Sequence, residues 1–109
     1  MDSERFEQIW APYRHELRRD YVSLSELVRH VRWIDPGLDD RGARETTLEV
    51  VRNALTRGDA EAGQFVDGAF TAWVLAPDEV VRRAAAEWDE LGDRVPNPGE
   101  ILWLNEPNA

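Results

Sequence analysis

The sequence predicts an α+β fold: about four helices with a small antiparallel sheet of two or three strands. Two observations carry that expectation. Most of the chain places apolar residues at helical spacing, but residues 60–75 break into short apolar pieces around Asp67-Gly68. An Asp-Gly pair between apolar residues signals a hairpin, because both central residues of such a two-residue turn must reach positive φ.

Phe6, Ile9, Trp10, Tyr13 and Leu17 form the first apolar stripe, with Ser3 as N-cap. Tyr21, Leu24, Leu27, Val28 and Val31 continue on the same face. Pro12 removes an amide and crowds the carbonyl of Gln8, so it kinks or starts a helix. Ser23-Leu24-Ser25-Glu26 has the capping-box form that marks a new N-terminus. The stripe is therefore read as two helices, about 4–19 and 24–33, with one kinked helix as the alternative. Asp35-Pro36-Gly37 ends the second. A third helix is expected over about 41–57, stopped by Gly58, with Leu48, Val51 and Leu55 inward and Glu45, Glu49 and Asn53 toward solvent. Strands are expected at about 60–66 and 69–75. Pro77-Asp78-Glu79 opens a fourth helix, and Gly92 closes it. Val80, Val81, Ala84, Trp88 and Leu91 form its apolar stripe, leaving Glu79, Arg82, Arg83, Asp89, Glu90 and Asp93 outward. Pro96-Asn97-Pro98-Gly99 is a turn, residues 101–104 read as a buried strand, and residues 105–109 as a frayed tail.

The 109 residues suit a single domain, 1–109, and a composition of 42% hydrophobic and 32% charged residues is that of a globular chain. The absence of cysteine excludes disulfide scaffolds, thiolate zinc sites, iron–sulfur clusters and cysteine nucleophiles. All 13 basic residues are Arg, which excludes Schiff-base lysines and the lysine of a P-loop. The net charge is −9, and it is uneven. Residues 1–57 carry 10 Arg against 11 acids, whereas residues 58–109 carry 3 Arg against 11 acids. Such a field repels nucleic acid and anionic lipid and attracts basic surfaces. Met1-Asp2-Ser3-Glu4-Arg5 lacks the basic start of an export signal, and no apolar run approaches the ~20 residues of a spanning helix. A cytoplasmic location without membrane contact is expected.

No catalytic, metal or cofactor residue is assigned, and the chain is not expected to be an enzyme. His15 and His30 lie on separate helices with no partner at ligand spacing. Ser3, Ser23 and Ser25 are used by helix starts, and Thr46, Thr47, Thr56 and Thr71 have no nearby histidine. Gly58, Gly63 and Gly68 lack the strand–loop–helix context of a phosphate cradle. The acid pairs Asp39-Asp40 and Asp89-Glu90 read as solvated. Helices followed by a hairpin also fit a winged-helix DNA binder, but the acids on the 41–57 helix oppose phosphate contact. Five tryptophans are the most unusual feature. Trp10 and Trp88 read as core, Trp73 and Trp103 as one core and one surface residue, and Trp33 as half exposed.

Leu55…Gly58…Ala62-Gly63…Phe65…Phe70…Trp73, then Glu87-Trp88…Leu91-Gly92…Pro96…Gly99-Glu100-Ile101…Trp103, resembles a group of small uncharacterised bacterial cytoplasmic proteins sharing an "EWxxLG…PxxGxIxW" ending. An acidic, Trp-rich chain of this length without catalytic motifs is also similar in type to immunity proteins that neutralise secreted bacterial toxins. That resemblance implies a protein-binding inhibitor, an immunity protein or antitoxin that occludes the active surface of a basic toxin or enzyme. The partner-binding residues expected from the sequence are Glu79, Asp89, Glu90, Asp93, Glu100, Asp67 and, as aromatic anchor, Trp73. A structural or regulatory module acting as a homo-oligomer or complex subunit is the alternative.

Overall fold

A computed structural model describes residues 1–92 and 94–107. Its helices are α1 (Ser3–Glu16), α2 (Leu24–Ile34), α3 (Asp40–Thr56) and α4 (Pro77–Glu90). Its strands are β1 (Val22–Ser23), β2 (Glu61–Val66), β3 (Ala69–Ala72) and β4 (Trp103–Asn105). They form one antiparallel sheet in the order β1-β4-β2-β3. The fold is α+β as expected, but the sheet has four strands rather than two or three.

The added strand is β1. Two residues are too few to show a period of two, and Val22 meets its partner Leu104 only through the fold. The last strand lies at Trp103–Asn105 rather than 101–104, so Asn105 is sheet and not tail. The second hairpin strand ends at Ala72, short of residue 75. At the turn between β2 and β3, Asp67 (φ 52) and Gly68 (φ 80) both take the left-handed conformation the hairpin signal requires.

The helix boundaries follow their caps. Asp2, not Ser3, caps α1, its carboxylate accepting the Arg5 amide at 2.8 Å. Ser23 caps α2 through a 3.2 Å bond from the Glu26 amide, and Asp39 caps α3 through a 2.7 Å bond from the Gly42 amide. Gly58 (φ 76) and Gly92 (φ 70) follow the ends of α3 and α4 in the left-handed conformation that glycine takes without strain. α1 runs through Pro12 to Glu16, so residues 4–33 are two helices separated by a turn and β1. The Gln8 carbonyl that Pro12 leaves without a helical donor belongs to an exposed residue, where water can reach it.

α3 is the middle helix, in contact with α1, α2 and α4. The core it organises includes Phe6, Trp10, Leu27, Val51, Trp88 and Leu102, all nearly or wholly buried. Trp10 and Trp88 are core, as the stripes predict; each turns its indole N–H to an acceptor, the Asp59 carboxylate and the Arg94 carbonyl, both at 3.1 Å. On the sheet, the row Val22–Leu104–Ala62 is buried against this core. The residues one step along each strand therefore belong to the opposite face.

Candidate functional site

The strand registers bring aromatic residues from distant parts of the chain onto that opposite face. Phe65 pairs with Phe70 across the hairpin, and Trp103 pairs with Gly63 on one side and Ser23 on the other. Tyr21, just before β1, leans over to meet them. Its ring lies 4.8 Å from Phe65, edge on, and 5.4 Å from Phe70; Phe65 in turn stands edge on to Trp103 at 5.7 Å. Edge-to-face contact of this kind adds about 0.5–1.5 kcal/mol per pair beyond area burial. The cluster is ordered by its own contacts yet stays open to solvent: Phe65 is 39% exposed, and Tyr21, Phe70 and Trp103 are half-buried. Beside it runs a shallow groove of about 440 Å³ between Tyr21, Phe70, Ala72 and Asn105, with Glu61 at its rim. The Asn105 amide donates to the Glu61 carboxylate at 3.1 Å and fixes that rim.

The residues singled out from the sequence divide between two places. Asp67 is exposed at the tip of the hairpin that carries Phe65 and Phe70, and Glu100 lies in the turn that leads into β4. Glu79, Asp89 and Glu90 are exposed on α4. Asp93 lies outside the described residues. The α4 acids do not form a purely acidic face, because Glu79 and Glu90 share a helical stripe with Arg82 and Arg83. Asp89 is tied to α3: Arg44 donates to its carboxylate at 2.6 Å and lies 5.6 Å from the Trp88 ring centroid. Trp73 is half-buried on the helix side of the sheet, under the guanidinium of Arg83 at 3.9 Å from its ring centroid. A cation already occupies the ring face that would serve as an anchor. Trp33, expected to be half exposed, is 81% exposed at the end of α2.

Glu100 is the most strongly held of these acids. Arg94 grips it with two bonds of 2.8 Å, and the Asn97 amide donates to it at 2.7 Å. The Arg94 hydrogen bonds first, and the Asn97 amide second, hold its carboxyl at about 2 rather than the ordinary 4.5. A carboxyl depressed on folding stabilises the fold above its unfolded pKa and loses that contribution as pH falls through the folded one. The stability gap between the native protein and the Glu100→Gln variant should therefore narrow as pH falls from 4.5 to about 2, read as thermal midpoints across that range. A gap independent of pH would mean that the clamp acts through shape and not charge.

The clamp precedes a strained turn. The Leu102 amide donates to the Glu100 carbonyl at 2.9 Å, closing a three-residue turn on Ile101, whose φ is 71. A β-branched residue in this region costs about 1–3 kcal/mol and persists only where its surroundings hold it. Here burial of the Ile101 side chain and a hydrogen bond from the Gln64 side-chain Nε2 to its carbonyl do so. The turn sets Trp103 in place, with its ring in van der Waals contact with the position where Gly99 would carry a Cβ.

His15 is exposed, and half-buried His30 stands edge on to Tyr13 at 5.3 Å. Among the described residues no group of three or more His, Asp or Glu is placed to hold a metal ion, and no helix is long and apolar enough to cross a membrane. Comparison with protein-family models, with curated proteins and with solved structures gives no match. The described side chains form a self-supporting aromatic surface with the Glu61 and Asp67 carboxylates at its margin.

Tyr21, Phe65, Phe70 and Trp103 are not among the site residues expected from the sequence. The alternation Glu61-Gly63-Phe65 holds the signal for Phe65, but the strand register is needed to place Phe70, Tyr21 and Trp103 beside it.

Proposed function

We propose that the protein is a non-catalytic, protein-binding inhibitor of the immunity-protein or antitoxin type, which covers the active surface of a basic toxin or enzyme. The observation that carries this reading is the solvent-open aromatic face of Tyr21, Phe65, Phe70 and Trp103. Aromatic side chains dominate binding hot spots because they bury large area at small entropic cost. Three of the four rings come from residues 58–109, the half that carries nearly all of the net charge of −9. An acidic field around an aromatic surface draws a basic protein in and rejects nucleic acid.

The test is retention of partners on the tagged protein at low and high salt, followed by affinity measurement on the protein retained. The reading expects one basic protein held stoichiometrically and weakened by salt. The double variant Tyr21→Ala, Phe65→Ala should lose at least about tenfold in affinity while staying folded, since central aromatic truncations cost about 2 kcal/mol or more. Charge reversal on α4, Glu79→Arg with Glu90→Arg, should slow association and leave dissociation nearly unchanged. A retained partner that binds the aromatic double variant as tightly as the native chain would refute the sheet face, and recovery of the bait alone would refute the inhibitor reading.

A further inference from the structure

From the free edge of β3 we infer that two copies of this chain pair through it, antiparallel about a two-fold axis at Thr71, joining two four-stranded sheets into one of eight strands. This inference does not rest on the inhibitor reading.

β3 is the outer strand of the sheet. The Trp73 amide donates to the Ala62 carbonyl at 2.8 Å, and the register pairs Gln64 with Thr71 and Val66 with Ala69. Along an antiparallel ladder inward and outward amides alternate, so those of Ala69, Thr71 and Trp73 point to β2. The N–H and C=O groups of Phe70 and Ala72 point away from the sheet. Natural edge strands are protected by charge, proline or a bulge. β3 has none of these: its sequence is Ala-Phe-Thr-Ala, and residues 62–76 contain a single charged residue, Asp67.

The occupant follows from charge and register. Two copies of a chain with net charge −9 repel each other except where charge is missing, and β3 with its exit, residues 68–77, carries no charged residue. It also concentrates the apolar surface: of the six exposed large hydrophobic residues described, Phe65, Val66, Val74 and Leu75 belong to it or to its exit. A two-fold axis at Thr71 sets Phe70 against Ala72 of the second copy, and both residues present their free backbone groups to that edge. The pairing thus makes four backbone hydrogen bonds, and the small Ala72 leaves room for the facing Phe70 ring. The two aromatic faces then lie side by side on one continuous sheet.

At the axis the two Thr71 residues form a non-hydrogen-bonded pair, whose Cα atoms are about 4.5 Å apart in antiparallel sheets. That distance is within disulfide range, and the chain has no cysteine of its own. Sedimentation velocity over a concentration series should show conversion of a 12.5 kDa species to one of twice that mass. Thr71→Lys sets two ammonium groups face to face and should raise the dimer dissociation constant at least about tenfold, with the circular dichroism of the native fold retained. Thr71→Cys should oxidise to a covalent dimer, while Thr56→Cys on exposed α3 surface should not. A monomer at every concentration, or a dimer that Thr71→Lys leaves intact, would overturn the proposal. If Thr71→Lys fails to fold, cross-linking of Thr71→Cys at the same rate as Thr56→Cys would overturn it on its own.

Discussion

Replacing Gly63 with alanine should open the β2–β3 hairpin. A Cβ at this position would run into the Thr71 carbonyl oxygen and lie 2.8 Å from the Ala72 Cα. Both are backbone atoms of the neighbouring strand, so no side-chain rotation relieves the clash. Gly63 is also paired on two sides, with Ala72 and with Trp103, and a shift away from one strand strains the other. The expected loss is about 2–4 kcal/mol, at or beyond the top of the range for overpacking, because strand pairing yields along with packing. For a domain of this size that lowers the thermal midpoint by roughly 10 °C or more. Gly68→Ala provides the contrast. Gly68 has φ 80 but nothing within 4 Å of the place an alanine methyl would take, so its substitution costs only the conformational penalty, about 1–2 kcal/mol. Equal effects of the two substitutions would mean that the Gly63 contact yields at no cost.

Trp10→Ala should be the most damaging truncation in the helical layer. The ring is fully buried, with Phe6 at 6.3 Å and Tyr13 at 6.0 Å between centroids. Its removal leaves a cavity among helices that are held from several sides, and truncations of this kind cost about 3–5 kcal/mol. Against a total stability of about 5–15 kcal/mol that leaves little margin. The indole N–H also donates to Asp59, which accepts two further bonds from Arg14, at 2.9 and 3.1 Å. Trp10→Phe keeps most of the packing and leaves Asp59 satisfied by Arg14, so it should cost well under half as much. Urea unfolding gives the comparison: both variants lower the midpoint with an unchanged slope, and the alanine variant lowers it more. Similar midpoints for the two would place the ring's contribution in its hydrogen bond rather than its volume.

The four helices are legible in the sequence because each buries a stripe with a 3.6-residue period and stops at a residue with a physical reason to stop it, such as Gly58 or Gly92. The hairpin is legible from Asp67-Gly68 alone. β1 is not, because pairing with β4 makes it a strand and the two residues themselves do not. Tyr21 shows the same limit from the other side. Its spacing continues the helical stripe of Phe6 to Leu17, yet it follows the end of α1 and turns its ring toward Phe65. For the acids, sequence position gives exposure and not pairing. Asp89 is exposed as its place on α4 implies, while the Arg44 that neutralises it comes from another helix. The aromatic surface is a product of register, and register is a property of the folded sheet.

The place of β4 inside the sheet has a consequence for the order in which the molecule is made. β4 is the last of the four strands to be synthesised, and it joins β1 to the hairpin. Synthesis proceeds at about 5–20 residues per second, so the helices and the hairpin, whose contacts are local, have seconds in which to form first. Val22 and Ser23 gain their strand partner only once residues 103–105 are in place. Trp103 completes the ring cluster in the same event. Anything that reads the four rings together can therefore distinguish the closed sheet from one still waiting for its central strand.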